Sequence, residues 1–332
     1  MTLHSFCRAA LRVICFALGS GVLASAWAQG PGAAYPERTV RIVVPFAPGA
    51  GTDAMGRLVA QKLAESLGGS FVVENRTGAS GAIGSQYVAQ SAPDGYTLLL
   101  AASPFTTVAA SLPSAGYDPL RQFAPVGMIA TGPLVWVANT SLPVNGMRDL
   151  VALARQKPGV LNYGSAGAGG VNHLVLELLK ANTGVFITHI PYRGVAPATM
   201  DLIAGQVQLL TGTIPAMLPF IREGRVKPLA VTSARRSAAL PDVPSMAESG
   251  YAGFDVLNYF ALMAPIGTPP AVIERLNQAI SKVVQMPDVL ARFKVDAVEP
   301  AAGTPVQLGR FIEADFGNWR NVVRSQNLKI EE

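Results

Sequence analysis

Short β-branched or apolar runs alternate along this chain with longer stretches of helical periodicity, and that alternation constrains its fold most. Val40 to Val44 reads as a buried strand. Ala54 to Leu67 follows as a helix with Met55, Leu58, Val59 and Leu63 on one face. Phe71 to Glu74 is a second strand, Gly84 to Ala92 a helix ended by Pro93-Asp94-Gly95, and Thr97 to Ala101 a third strand. The middle repeats the logic. Strands are expected at Leu134 to Ala138, up to Tyr163, Ile187 to Ile190, Val207 to Leu210 and Pro228 to Thr232. Helices are expected at Met147 to Gln156, Val171 to Asn182 and Ala196 to Ala204. After a strand-like run from Asn258 to Pro265, two helices close the chain, Pro270 to Gln285 and Pro305 to Ser325, each with proline in its first turn. Strands separated by helices pair in parallel, so the class is α/β.

The first residues stand outside this pattern. Arg8 and Arg12 precede an apolar, acid-free run from Val13 to Leu23, and Ala26-Trp27-Ala28 ends it with small residues. This reads as a secretory signal peptide over residues 1–28, cleaved after Ala28, which sends the protein to the periplasm. The alternative, a membrane anchor, needs a run of roughly 20 apolar residues, longer than this one. Both cysteines, Cys7 and Cys15, lie in the leader. The exported chain therefore has no disulfide, cysteine metal site or cysteine nucleophile. Losing Arg8 and Arg12 lowers the net charge from +5 to about +3, spread thinly. Nothing resembles a nucleic-acid footprint, and a mildly positive chain favours anionic solutes.

Two loops carry the chemistry. Pro45-Phe46-Ala47-Pro48-Gly49-Ala50-Gly51-Thr52-Asp53 lies between a strand and a helix. Small residues there let backbone N–H groups approach a ligand, and the helix start adds unpaired donors and partial positive charge. Such a site holds an anion without a cationic side chain. Thr52 or Asp53 is the expected N-cap. Gly164-Ser165-Ala166-Gly167-Ala168-Gly169-Gly170-Val171-Asn172-His173 repeats the device in the second half. Two such loops facing each other across a cleft suit a carboxylate held from both sides. The plain alternative for each is a tight connection with no ligand.

Enzyme and metal signatures are weak. Tyr163-Gly164-Ser165-Ala166-Gly167 approaches a nucleophile elbow, but Tyr163 occupies the first glycine position. A Ser165–His173 dyad would need fortunate helix geometry. Gly78, Gly81 and Gly84 lack dinucleotide spacing and read as a helix-entry turn. With His173 and His189 alone after the leader, no His-rich metal site is expected, and no cofactor. His189, inside a strand, reads as structural. Arg193 reads as a solvated or interdomain cation before a solute partner.

Together these segments resemble the Bug family of periplasmic receptors, the binding components of tripartite tricarboxylate transporters. The resemblance runs from Tyr35 to about Lys329. It rests on Arg41 to Asp53, Val72-Val73-Glu74-Asn75-Arg76 with Gly78, Ala92 to Leu99, Asn162 to Gly167, His173-Leu174, Pro191-Tyr192-Arg193-Gly194, Leu240 to Pro244 and Ala264 to Pro269. It implies a type II periplasmic-binding-protein fold, two α/β domains joined by crossover strands with a ligand cleft between them. Domain 1 would comprise residues 29–130 plus 257–332, and domain 2 residues 131–256. Phe46, Ala47, Gly49, Ala50, Gly51 and Thr52 match its first-domain loop, and Ser165, Ala166, Gly167, Ala168 and Gly169 its second. Asp53 and His173 match positions that shape those loops, and Ser103, Pro104 and Phe105 a further pocket-lining segment. Asn258 stands where a tryptophan is frequent, and Gly212 where an aspartate is; the loss of that acid disfavours an amino-acid ligand. The implied protein is a non-enzymatic, monomeric receptor that passes a small di-, tri- or aromatic carboxylate to membrane permease subunits. A sensory receptor serving a signalling protein and a serine hydrolase using Ser165 are the rival readings.

Overall fold

A computed structural model describes residues 35–49, 51–328 and 330, and those from Pro36 onward belong to one compact unit. The leader, its cleavage point and Ala50 lie outside the described residues.

The expected alternation is present. In chain order the elements are β1 (Val40–Val44), α1 (Gly51–Leu67), β2 (Phe71–Asn75), α2 (Ala82–Ala89), β3 (Thr97–Ala102), α3 (Pro104–Ser111) and β4 (Phe123–Asn139). There follow α4 (Met147–Gln156), β5 (Asn162–Ser165), α5 (Val171–Thr183), β6 (Thr188–Pro191), α6 (Val195–Ile203), β7 (Leu209–Thr213), α7 (Ile214–Arg222) and β8 (Val226–Val231). The chain closes with β9 (Leu257–Pro265), α8 (Pro270–Val283), α9 (Pro287–Val295), β10 (Glu299–Pro300) and α10 (Pro305–Ser325). Helices α3, α7 and α9 escape the sequence reading because they are short, and proline sits in the first turn of each.

The strands run β2-β1-β3-β9-β4-β7-β5-β6, with β8 and β10 added against β4. β1 pairs in parallel with β2 and β3, and β5 with β6 and β7, as the strand–helix alternation requires. β4 is the pivot. Its first part, Phe123 to Pro133, lies antiparallel to β9, and its second part, Leu134 to Ala138, lies antiparallel to β7. Its 17 residues reach about 56 Å at strand rise, enough to serve two lobes. The sequence suggested only Leu134 to Ala138, because Gly127, Gly132 and Pro133 interrupt the β-branched run. The return crossing enters β9 where Val256 N–H donates to Thr232 and Leu257 comes opposite Pro133.

Each lobe has its own core. Val43, Leu99, Phe105, Phe123 and Tyr259 fill the first, and Trp136, Tyr163, Leu174, Leu209 and Phe254 the second. Helix α10 joins both. Leu308 and Ile312 pack in the first core, while Trp319 and Val322 pack in the second. Thr304 and Gln307 close its start with a reciprocal capping box. Between its two apolar halves sits the half-buried Asp315, which accepts from Thr106 Oγ1 of α3 at 2.5 Å and from Trp319 Nε1 at 2.9 Å. Burial raises this carboxyl to about 6 against the lowering effect of those two donors. The molecule is thus an α/β protein of two lobes, joined by crossover strands and by one helix that packs on both.

Candidate ligand-binding site

The first loop leaves β1 at Val44. Ala47, Gly49 and Gly51 are exposed, and Phe46 and Thr52 half-buried. Helix α1 begins at Gly51, so Asp53 is its third residue and not the expected N-cap. Its carboxylate reaches back instead. Oδ2 accepts the Gly49 N–H at 2.9 Å and the Arg57 guanidinium at 2.9 Å, while Oδ1 accepts the Asn75 amide at 2.8 Å. Asn75 also donates to the Phe46 carbonyl. The Arg57 guanidinium, with Gly49 and Asn75 in support, holds the Asp53 carboxyl down to about 2 against the cost of burial. Asp53 is therefore an ionised clamp beneath the loop. The N–H groups of Gly51 and Thr52 have no backbone partner among the described residues.

The second loop leaves β5 at Ser165 and opens α5 at Val171. Ala166, Gly167 and Ala168 are half-buried, while Ser165 and Gly169 are buried. His173 is the third residue of α5, the position Asp53 holds in α1. Its Nδ1 accepts the Gly169 N–H at 3.1 Å, and its Nε2 faces Glu177 Oε1 at 3.6 Å. Gly169 has φ +76 and Gly167 φ +138, backbone that side-chain-bearing residues rarely adopt. Ser165 accepts the Gly167 N–H at 3.2 Å and lies 2.6 Å from His189 Nε2. The His173 and His189 rings stack, centroids 3.8 Å apart and 9° from parallel. The N–H groups of Ala166, Ala168, Gly170, Val171 and Asn172 have no partner among the described residues.

The two loops meet over one small turn, Ala79–Gly81, whose Ser80 has φ +51. A Cβ built on Gly81 would lie 3.2 Å from the Phe46 ring, and one on Gly167 would lie 3.8 Å from Ser80 Oγ. Gly169 touches the end of α3, where Ser111 Oγ donates to its carbonyl at 3.4 Å. Both loops therefore border the Ala79–Gly81 turn. The sequence marked Gly78 and Gly81 as a turn but gave no sign that Ser80 and Ser111 would bridge the lobes. That depends on which strands become neighbours.

Several expected side-chain roles change. Phe105 is buried at 3% exposure, stacked on Tyr117 and edge-on to Phe123, so its ring is part of the first core. Ser103 is also buried. Its hydroxyl contacts Asn258 Oδ1 at 2.9 Å and accepts the Tyr259 N–H, tying β3 to the return crossing. The Ser165–His173 dyad is not made, because His173 Nδ1 is taken by Gly169 and the imidazole beside Ser165 belongs to His189. Arg193 is exposed and makes no ion pair.

A cavity of about 1090 Å³ lies elsewhere, between α7 and α9 over Gly132 and Pro133, and none of the loop residues lines it. Among the described residues no His, Cys, Asp or Glu cluster could hold a metal ion, and no helix is long and apolar enough to cross a membrane.

Comparison with known proteins follows the same outline. The model of TctC, the tripartite tricarboxylate transporter family receptor, matches residues 55–328. Protein BugT of Bordetella pertussis is 40% identical over 299 residues, covering 90% of this chain and 92% of its own length. The structure of R. palustris Rpa4515 with adipate superposes with a TM-score of 0.79 at 38% identity, covering 88% of this chain and 98% of that one. MatC (Rpa3494) from Rhodopseudomonas palustris with bound malate gives 0.77 at 32% identity, covering 87% and 100%.

Proposed function

Because the chain belongs to the tripartite tricarboxylate transporter receptor family, we propose that it captures a small dicarboxylate between its lobes and presents it to the permease subunits of such a transporter. One observation carries this reading. Two helix entrances, one per lobe, border the same turn and carry N–H groups with no partner among the described residues: Gly51 and Thr52 from α1, and Ala166, Ala168, Gly170, Val171 and Asn172 from α5. The amides of Gly49, Gly167 and Gly169 are spent inside the loops and shape the site. Phe46 and Ala47 complete the first wall. The adipate and malate held by related receptors are the ligand class these donors suit.

Magnitudes set what else is needed. A helix entrance contributes roughly 0.3–1 kcal/mol, up to about 2 when partly buried. Micromolar affinity requires about 8 kcal/mol. Direct hydrogen bonds, ordered water and closure of the lobes supply the remainder. The lobe boundary falls near residues 130 and 257, the protein acts as a monomer without chemistry on its ligand, and export with cleavage after Ala28 delivers it to the periplasm. A solute bearing an ammonium group is disfavoured. Gly212 carries no acid, and a Cβ there would lie 2.8 Å from Met217 Cγ.

Isothermal titration against adipate, L-malate, L-glutamate and an aromatic carboxylate tests the reading. A dicarboxylate is expected to bind and L-glutamate to be rejected. Silence across the panel from folded protein, or preference for the amino acid, overturns it. Hydrolytic turnover that disappears in Ser165→Ala would establish the rival enzyme.

A further inference from the structure

We propose that His189 is a positioning residue for the α5 entrance, acting as an Nε2–H donor that saturates Ser165 and so fixes which loop amides face the ligand. This rests on the reading of the two entrances as a carboxylate site.

The case begins with the Ser165 hydroxyl, which has one proton and two lone pairs. Ser165 is fully buried. Three polar groups reach its oxygen: Gly167 N–H at 3.2 Å, Gly167 carbonyl at 3.0 Å and His189 Nε2 at 2.6 Å. Gly167 N–H can only donate, so it takes one lone pair. The carbonyl can only accept, so it takes the proton. One lone pair remains, and His189 fills it only as an Nε2–H donor. This tautomer leaves no part of the hydroxyl unpaired, and an unpaired buried polar group is costly.

Its consequence for the loop is specific. Ser165 holds both the N–H and the carbonyl of Gly167 on one side of the turn, and His173 holds Gly169 N–H. Alternate amides are thereby turned inward, at Gly167 and Gly169. Those between and after them, at Ala166, Ala168 and Gly170, carry no partner. The stacked imidazoles lie under the loop as one plate. The groups facing His189 are His173, Glu177 and Lys180 of α5 and the Tyr163 ring of β5. The same assignment removes His189 as a general base for Ser165, because its Nε2 already carries the proton.

The test combines a spectroscopic signature with rescue. Imidazole nitrogen NMR of the wild-type protein, assigned with His189→Gln, is expected to show His189 protonated at Nε2 and bare at Nδ1. The opposite tautomer overturns the proposal, whether or not any ligand binds. In titrations with adipate and L-malate, His189→Phe is expected to lose about tenfold or more in affinity, the worth of a buried hydrogen bond. His189→Gln, which restores an N–H donor, is expected to stay within about threefold of wild type. Ser165→Ala combined with His189→Phe is expected to cost no more than Ser165→Ala alone, because His189 acts through Ser165. Full affinity in a folded His189→Phe protein, or additive losses, overturns the proposal while the receptor reading stands. Wild-type silence toward the panel sinks the receptor reading, and the tautomer still decides the hydrogen-bond assignment.

Discussion

The Nδ1 atom of His173 accepts the N–H of Gly169 at 3.1 Å, four residues back along the chain. Asp53 does the same for Gly49 at 2.9 Å in the other lobe, again across four residues and from the third position of a helix. The two entrances thus share one device built on different acceptors: an ionised carboxylate under α1 and an imidazole nitrogen under α5. His173→Phe keeps a ring for the stack but leaves Gly169 N–H without its acceptor. We expect a stability loss of about 1–2 kcal/mol by urea unfolding, together with weaker carboxylate binding by calorimetry. A His173→Phe protein of unchanged stability would mean that Gly169 finds another partner.

Gly51 separates charge from bulk. A Cβ there meets nothing within 4 Å, so Gly51→Ala is expected to fold and to bind within about threefold of wild type, under 1 kcal/mol. Gly51→Asp adds a carboxylate beside the unpaired N–H groups. Repulsion of a partly desolvated anion is expected to cost about 3 kcal/mol, roughly a hundredfold in affinity. Equal affinities for the two variants would move the ligand away from α1.

Gly169 tests the contact between lobes. It sits at φ +76, and a Cβ would lie 2.7 Å from Ser111 Oγ. Gly169→Ala is expected to lose about 1–2 kcal/mol from left-handed backbone alone. It should also hold the α3 end away from the α5 entrance. Small-angle scattering of the variant with saturating adipate is expected to show a larger radius than liganded wild type. Identical radii would show that this contact does not limit closure.

Asp315 gives a pH signature. Its carboxyl is raised from 3.8 to about 6 by burial, so the folded state holds its proton more tightly than the unfolded chain. Its contribution to stability is full below pH 3.8 and is lost as pH rises through about 6. A shift of that size corresponds to about 2–3 kcal/mol. Asp315→Asn keeps a carbonyl for Trp319 Nε1–H and adds an amide donor toward Thr106 Oγ1. We expect a higher melting temperature than wild type at pH 8, with the gap closing toward pH 4. A gap independent of pH would show that the Asp315 carboxyl titrates alike in the folded and unfolded states.

Strand and helix periods, together with Gly-rich turns between them, were sufficient to read an α/β fold and both helix entrances from the amino-acid order. Those signals are local, because spacing within a few residues decides whether a segment buries one face as a helix or a strand. The chain's likeness to a receptor family was legible for the same reason, resting on short contiguous motifs. Pairing was not. Only folding lets β4 run as one strand through two sheets, sets Ser80 beside Gly167, and turns the Phe105 ring from the cleft into a core. Ser165 and His189 lie 24 residues apart and meet because β5 and β6 pair in parallel with Tyr163 opposite His189. Hydrogen-bond partners at that separation are chosen by register and burial, which depend on all neighbouring strands at once, so the sequence alone carries no local mark of them.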